Sequence, residues 1–351
     1  MNGGRDGIGR SGAGNFRVGI CAESRLGFLA MNRRAFLVRS SALAAASVLL
    51  RSKMFAQSSS PTPAPTAAAA RPPATVAVEF RRLRRNVGLF IGRGGTIGWL
   101  ASKESLVVVD TQFPDTAALC LAGLPERDTR LVDVVFNTHH HSDHTGGNPV
   151  FKPVSKTIVA QRNVPKLQLR ASEQKDTTWQ QVFADTLFDD VWRHDGSDEI
   201  VTARHFGPAH TAGDAIITFE RANVIHMGDL VFNRMYPVID RPGGANIRNW
   251  IKILEQAARE FPADAIYLYG HGNAKFGVSG TRDDLLAMRD YLAALLAHVE
   301  KEIAAGKTRT EIRQLANLPG FPDFFPAPDQ TSRLPANLEA AYDELTAKRP
   351  A

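Results

Sequence analysis

Four of the chain's ten histidines fall between positions 139 and 144, in the run Asn137-Thr138-His139-His140-His141-Ser142-Asp143-His144, directly after the apolar stretch 131–136. An apolar stretch of that length reads as a buried strand. The polar run then lies on a loop at the strand's C-terminal end, where layered α/β folds commonly place their chemistry. In extended backbone side chains alternate, so His139 and His141 share one side. As the chain turns toward a helix, Asp143 and His144 face a second point a few ångströms away. Imidazole and carboxylate groups suit zinc, and two such points suit a dinuclear site.

Two ions need more ligands than this loop holds. Candidates recur downstream, each at the end of an expected strand: His210 in Pro208-Ala209-His210-Thr211-Ala212-Gly213-Asp214, Asp229 in His226-Met227-Gly228-Asp229, and His271 in Tyr269-Gly270-His271-Gly272. Glycines beside or near each one let the backbone approach an ion closely. His140 is expected to point away from the ions, and His194, His205, His226 and His298 lack ligand-like spacing and read as structural. Gly146-Gly147-Asn148 reads as a tight turn into a helix rather than an oxyanion donor.

Strand signals occur at 76–80, 87–91, 96–101, 106–109, 131–137, 157–161, 200–205, 215–220, 224–226 and 265–269, and helix signals at 114–123, 245–261 and 282–305. Strand-rich halves, each closed by helices, predict two packed sheets with helices outside. Trp179, Phe183, Phe188 and Trp192, spaced four, five and four apart, read as a helix face rather than as a lid. Arg234 and Tyr236, just after Asp229, are candidates to orient a substrate. Helical pattern continues to about 318, interrupted at Gly306-Lys307. A Pro-rich tail follows over 319–351, with Phe321, Phe324 and Phe325 as its anchors. Cys120, on an apolar helix face, reads as a buried thiol rather than a nucleophile.

Charge adds a constraint. The 351 residues carry a net charge of +6, yet residues 1–57 hold nine basic side chains against two acidic ones. That leaves −1 for residues 58–351, which gives no electrostatic case for a nucleic-acid partner. Within 31–57, Arg33-Arg34 is followed by Phe36-Leu37 and an apolar stretch over 42–50. Nine helical residues rise about 14 Å, half a bilayer core, so no stable transmembrane span is expected. The pattern resembles a twin-arginine export signal and implies the export machinery as a partner and a periplasmic or extracellular location. Met31 opens that signal, so residues 1–30 read as a mis-assigned start. Residues 58–74 read as a Pro/Ala/Ser linker, and 75–318 as the folded domain.

The segment His139-His140-His141-Ser142-Asp143-His144 matches the H-x-H-x-D-H signature of the metallo-β-lactamase superfamily, and the later His, Asp and His positions follow in that family's order. Leu106-Val107-Val108-Val109-Asp110-Thr111 resembles its first motif, whose aspartate supports the site from behind. The resemblance covers about 76–271. It implies an α/β fold, the four-layer αββα sandwich, with two Zn2+ ions in the cleft between the sheets. It implies that His139, His141 and His210 hold one ion, that Asp143, His144 and His271 hold the other, and that Asp229 bridges them. A bridging aspartate is similar to the glyoxalase II-like hydrolases rather than to the common class B β-lactamases. His141 stands where flavodiiron relatives place a glutamate. The function so implied is hydrolysis of an activated carbonyl in a small molecule (ester, thioester or lactam) by a metal-bridging hydroxide, with Asp143 catalytic. The alternatives are a mononuclear iron persulfide dioxygenase, which shares the motif, and a non-catalytic metal-binding protein.

Overall fold

The computed structural model describes residues 77–175, 181–326 and 332–347. The leader, the linker and Trp179 lie outside the described residues. The first sheet has seven strands in chain order: β1 (Glu79–Arg84), β2 (Val87–Ile91), β3 (Ile97–Ala101), β4 (Leu106–Val109), β5 (Val134–Asn137), β6 (Ile158–Gln161) and β7 (Thr186–Phe188). It runs antiparallel from β1 to β4 and parallel from β4 to β7. Helices α1 (Pro114–Gly123), α2 (Ser142–Thr145), α3 (Asn148–Phe151) and α4 (Val164–Lys175) fall between those strands.

The second half supplies β8 (Val191–Asp195), β9 (Ile200–Arg204), β10 (Ile216–Phe219), β11 (Val224–His226), the short β12 (Phe232–Asn233), β13 (Ile266–Leu268), β14 (His271–Gly272) and β15 (Ser279–Gly280). Its main sheet has the order β15-β13-β11-β10-β9-β8, while β12 pairs with β14 alongside. Helices α5 (Ile247–Glu260), α6 (Arg282–Ala304), α7 (Arg309–Ile312) and α8 (Leu334–Thr346) complete the chain. No helix among the described residues is long and apolar enough to cross a membrane.

Side-chain alternation assigns the layers. Val87, Leu89, Val107, Val109, Val134 and Phe136 from the first sheet pack against Val201, Ala203, Ile217, Phe219 and Leu268 from the second. Their neighbours Phe90, Leu106, Val108 and Val135 point the other way, toward Ala117, Cys120 and Phe151 of α1 and α3. On the far side Ile216, Ile225, Tyr267 and Tyr269 meet α5, α6 and α8. The result is the expected αββα sandwich. The central strands are covered on both faces, which is why Leu-Val-Val-Val (106–109) is apolar at every position, whereas the edge strands β1 and β8 keep exposed residues.

Two expectations differ from the structure. Phe188 and Trp192 belong to strands β7 and β8, not to a helix. Exposure along β8 alternates residue by residue, and the Trp192 ring meets Phe136 edge-on at 5.0 Å. The stretch read as a tail contains the 13-residue helix α8, whose Leu334, Leu338 and Ala341 are buried in the α5–α6 core. Phe324 does anchor the preceding segment, stacked on Tyr291 at 4.6 Å, whereas Phe325 is exposed. Cys120 is buried, and burial pushes its thiol up.

Candidate metal centre

Strand β4 is followed directly by Asp110, a fully buried carboxylate in left-handed backbone (φ 65°), a conformation aspartate tolerates better than most residues. Strand β5 ends at Asn137 and delivers His139 and His141 before α2 begins, so Asp143 and His144 sit on that helix's first turns. His210 comes from the connection between β9 and β10, Asp229 from the turn after β11, and His271 opens β14. The structure thus brings all seven expected residues together, from distant stretches of chain.

The donor atoms form two overlapping groups. His139 Nε2 and His210 Nε2 each lie 3.1 Å from His141 Nδ1. His271 Nε2 lies 3.0 Å from Asp143 Oδ2 and 3.4 Å from His144 Nε2. Asp229 spans both groups. Its Oδ2 is 3.7 Å from His139, 3.5 Å from His210 and 3.5 Å from His271, and its Oδ1 is 3.1 Å from His144. Four nitrogens tetrahedrally around zinc at 2.0–2.1 Å would stand about 3.4 Å apart, which is the observed range.

Outer hydrogen bonds decide what these atoms are. His210 Nδ1 donates to the Val238 carbonyl (2.8 Å), His141 Nε2 to Asp240 Oδ2 (3.0 Å) and His144 Nδ1 to Asp110 Oδ2 (2.7 Å). Thr138 Oγ1 donates to Asp110 (2.7 Å) and therefore accepts from His139 Nδ1 (3.1 Å). The His139, His141 and His210 rings thus carry their proton on the outer nitrogen and turn a lone pair inward, as His144 does in its neutral form. The 3.1 Å approach of His141 to His210 sets lone pair against lone pair. His144 Nε2 stands 3.1 Å from Asp229 Oδ1, an ion pair while the ring is charged and opposed lone pairs once it is neutral. Converging lone pairs repel unless a cation lies among them. This donor set therefore fits metal ions, and His139-His141-His210-Asp229 and Asp143-His144-His271 each have the spacing to hold one.

The electrostatics of the bare protein follow the same logic. Burial, reinforced by the neighbouring imidazoles, drives His139 well below its ordinary pKa, and burial takes His210 down to about 3. Burial also opposes charging His144, but Asp229, Asp143 and Asp110 outweigh it and raise that ring well above the ordinary value. Burial works against ionising Asp229 as well, yet His144, His271 and His210 hold its carboxyl well below the usual range. Backbone must pass close to these groups. A Cβ on Gly270 would stand 1.9 Å from Asp229 Oδ1, and one on Gly95 2.1 Å from the His144 ring.

The remaining expectations sort cleanly. His140 is buried with Nε2 3.3 Å from Asp240, facing away from the inner donors. His226, His205 and His194 bond to the Thr96 carbonyl, the Asp214 carbonyl and the Ser105 hydroxyl. Asn148 exchanges amide hydrogen bonds with Asn137 and opens α3, so it is a turn residue. Arg234 lies 3.5 Å from Asp284 and Tyr236 packs on Tyr291; neither lines the cleft. The cleft, about 510 Å3, is walled instead by Phe113, Phe232, Met235 and Val238, with Arg93 and Arg333 at its sides. Sequence reasoning missed Asp240 and Arg333. Asp240 had one local signal, an acidic residue in the turn-rich Val238-Ile239-Asp240-Arg241-Pro242-Gly243-Gly244, while Arg333 had none.

Residues 91–271 match the family model of the metallo-beta-lactamase superfamily. No curated protein matches the chain. Among solved structures, the stereoselective inverting sec-alkylsulfatase Pisa1 from Pseudomonas sp. superposes with a TM-score of 0.58 at 17% identity, covering 74% of this chain and 49% of that one. The metallo-beta-lactamase from Pontibacter korlensis superposes with a TM-score of 0.51 at 16% identity, covering 62% and 99% respectively. That from Hirschia baltica gives 0.50 at 18% identity, covering 61% and 97%. The chain spans about half the length of the alkylsulfatase, and at these identities the likeness is one of fold.

Proposed function

The chain belongs to the metallo-beta-lactamase superfamily, and from that premise we propose that it is a zinc-dependent hydrolase of a small molecule with an activated carbonyl, an ester, thioester or lactam. The observation that carries this reading is the inward convergence of the His139, His141 and His210 lone pairs beside Asp229, each of these rings held in that tautomer by an outer acceptor. His139, His141 and His210 would hold one ion, Asp143, His144 and His271 the other, and Asp229 would touch both. Two such ions supply Lewis acidity toward a carbonyl oxygen and bring the pKa of bound water toward neutrality.

This chain's own residues do the rest. Asp143, on the cleft wall and 28% exposed at its side chain, orients the attacking water and takes up its proton at Oδ1. Phe113, Phe232, Met235 and Val238 give the substrate an apolar seat and thin the water around it. No serine or cysteine nucleophile enters. The twin-arginine leader adds export to the periplasm or beyond as part of the proposal.

Metal analysis of the purified chain tests the reading. Two zinc ions per chain, with turnover of an activated ester abolished in His141→Ala and Asp143→Ala, is the expected result. A single iron would instead favour the dioxygenase alternative, and unaltered hydrolysis in either variant would remove these residues from the mechanism.

A further inference from the structure

Three of the rings around the centre take their outer partners from one irregular segment, residues 238–246, between β12 and α5. The Val238 carbonyl accepts from His210, and Asp240 Oδ2 accepts from His141 and lies 3.3 Å from His140. The segment is laced to the His210 loop, because Asn246 N donates to the Ala209 carbonyl and Ala212 N to the Gly243 carbonyl. Asp240 is braced from within by the Gly243 N–H (2.9 Å).

A further restraint comes from far along the chain. Glu344, on α8, has a side chain only 8% exposed. Its Oε2 accepts from Arg241 Nη1 (2.9 Å) and from the Ile247 N–H (2.8 Å), and its Oε1 accepts from the Arg248 N–H (3.0 Å). Arg241 Nη1 also donates to the Ala245 carbonyl (2.6 Å). One carboxylate therefore grips the residue beside Asp240 and the first turn of the 14-residue α5 together. A negative charge at a helix N-terminus is favourable in itself, and two otherwise unpaired N–H groups are satisfied there. Helix α8 is fixed by its own buried face, so the grip acts from a rigid body. It also lies beyond residues 91–271, the part that matches the family.

We propose that Glu344 is a positioning residue of the metal centre: through Arg241 and the start of α5 it sets the acceptors that orient His141 and His210, so the C-terminal helix completes the first ion's site. This rests on the reading of His139, His141 and His210 as a metal-holding group. Outer partners of metal-binding imidazoles typically change affinity 10–100-fold when removed.

The test is a cobalt titration of the full chain against a competing chelator, with ligand-field absorption separating the imidazole-rich site from the one containing Asp143. Glu344→Ala should weaken the imidazole-rich site about 10–100-fold and alter its absorption, leaving the other site unchanged. Glu344→Gln, which keeps one acceptor oxygen, should recover part of the loss, and it carries the test if the alanine variant does not fold. Glu339→Gln, which removes the partner of Arg309 and Arg313 on the same helix, should leave both sites as they are. Wild-type affinity at both sites in the Glu344 variants, or an equal loss in Glu339→Gln, would overturn the inference while the metal reading stands. A wild type that binds no ion would overturn both.

Discussion

Asparagine at position 110 isolates the role of a single charge, because asparagine shares aspartate's tolerance of the left-handed backbone found there (φ 65°). Asp110 accepts three hydrogen bonds in a fully buried place: Thr138 N on Oδ1 (2.8 Å), and Thr138 Oγ1 and His144 Nδ1 on Oδ2 (both 2.7 Å). The amide has one acceptor oxygen. If it keeps the Thr138 N–H, its NH2 group faces His144 Nδ1, and two donors cannot share that gap. The ring must then move its proton to Nε2, the nitrogen turned toward Asp229 and His271. Hydrogen bonds to a charged group contribute about 1.5–3 kcal/mol each, so restoring the inward lone pair works against a strong preference. We expect zinc affinity at the Asp143-His144-His271 group to fall about 10–100-fold, that is about 1.4–2.8 kcal/mol of metal-linked stability. The assays are chelator competition for Kd and nitrogen NMR of the His144 ring, which reports where the proton sits. A Kd within threefold of wild type, with the proton still on Nδ1, would refute the tautomer argument.

Three further outcomes follow from the same geometry. Gly270→Ala should abolish binding of two ions while the fold persists, since the new Cβ meets Asp229 Oδ1 at 1.9 Å and the Gly228 backbone at 2.9 Å; metal content together with circular dichroism decides it. Burial raises Asp214 to about 7 despite its bonds from Thr211. A raised folded pKa means stability that is full below the unfolded value near 3.9 and is lost as pH climbs toward 7, by about 1.4 kcal/mol for each pH unit crossed between the two. Asp214→Asn should therefore flatten the fall in stability of the metal-free chain between about pH 4 and 7, and an unchanged urea-midpoint profile would contradict this. Arg333 lines the cleft within reach of the fields of Asp229 and Asp143. Arg333→Gln should raise KM about tenfold or more for a carboxylate-bearing ester and leave a neutral ester unaffected.

Legibility in the sequence tracked how local each signal was. The inner donors could be read because they fall in short polar runs that follow apolar strands such as Val134–Asn137. Asp110, the residue after β4, was reached only through its resemblance to the family's first motif. The strands β7 and β8 were misread because spacings of four and five satisfy a helix as well as two strands when the turn between them is ignored. The better signal was Asp189-Asp190, a poor helix interior; over Val191–Asp195 only the exposure alternates, not the residue types Val-Trp-Arg-His-Asp. Helix α8 carried apolar residues at Leu334, Leu338 and Ala341, a clear helical stripe. It was overlooked because the prolines around it suggested a tail, although Pro335 stands in the first turn, where proline is tolerated.

What stayed hidden, Asp110 apart, is the outer layer of the site, and the reason lies in the kind of restraint it requires. An inner ligand must only reach the ion, which a strand end and a glycine achieve within a few residues. An outer acceptor must fix the ring's tautomer, and any carbonyl or carboxylate that arrives at the right point will serve. That acceptor lies 28 residues away for His210, 34 for His144 and 99 for His141. The brace on Arg241 comes from a glutamate 103 residues further on. No residue type or spacing announces such a partner; it is defined by packing alone. The chemistry of the centre is therefore written in short motifs, whereas the protonation state that makes those motifs usable is set by the whole sandwich and the helix that closes it.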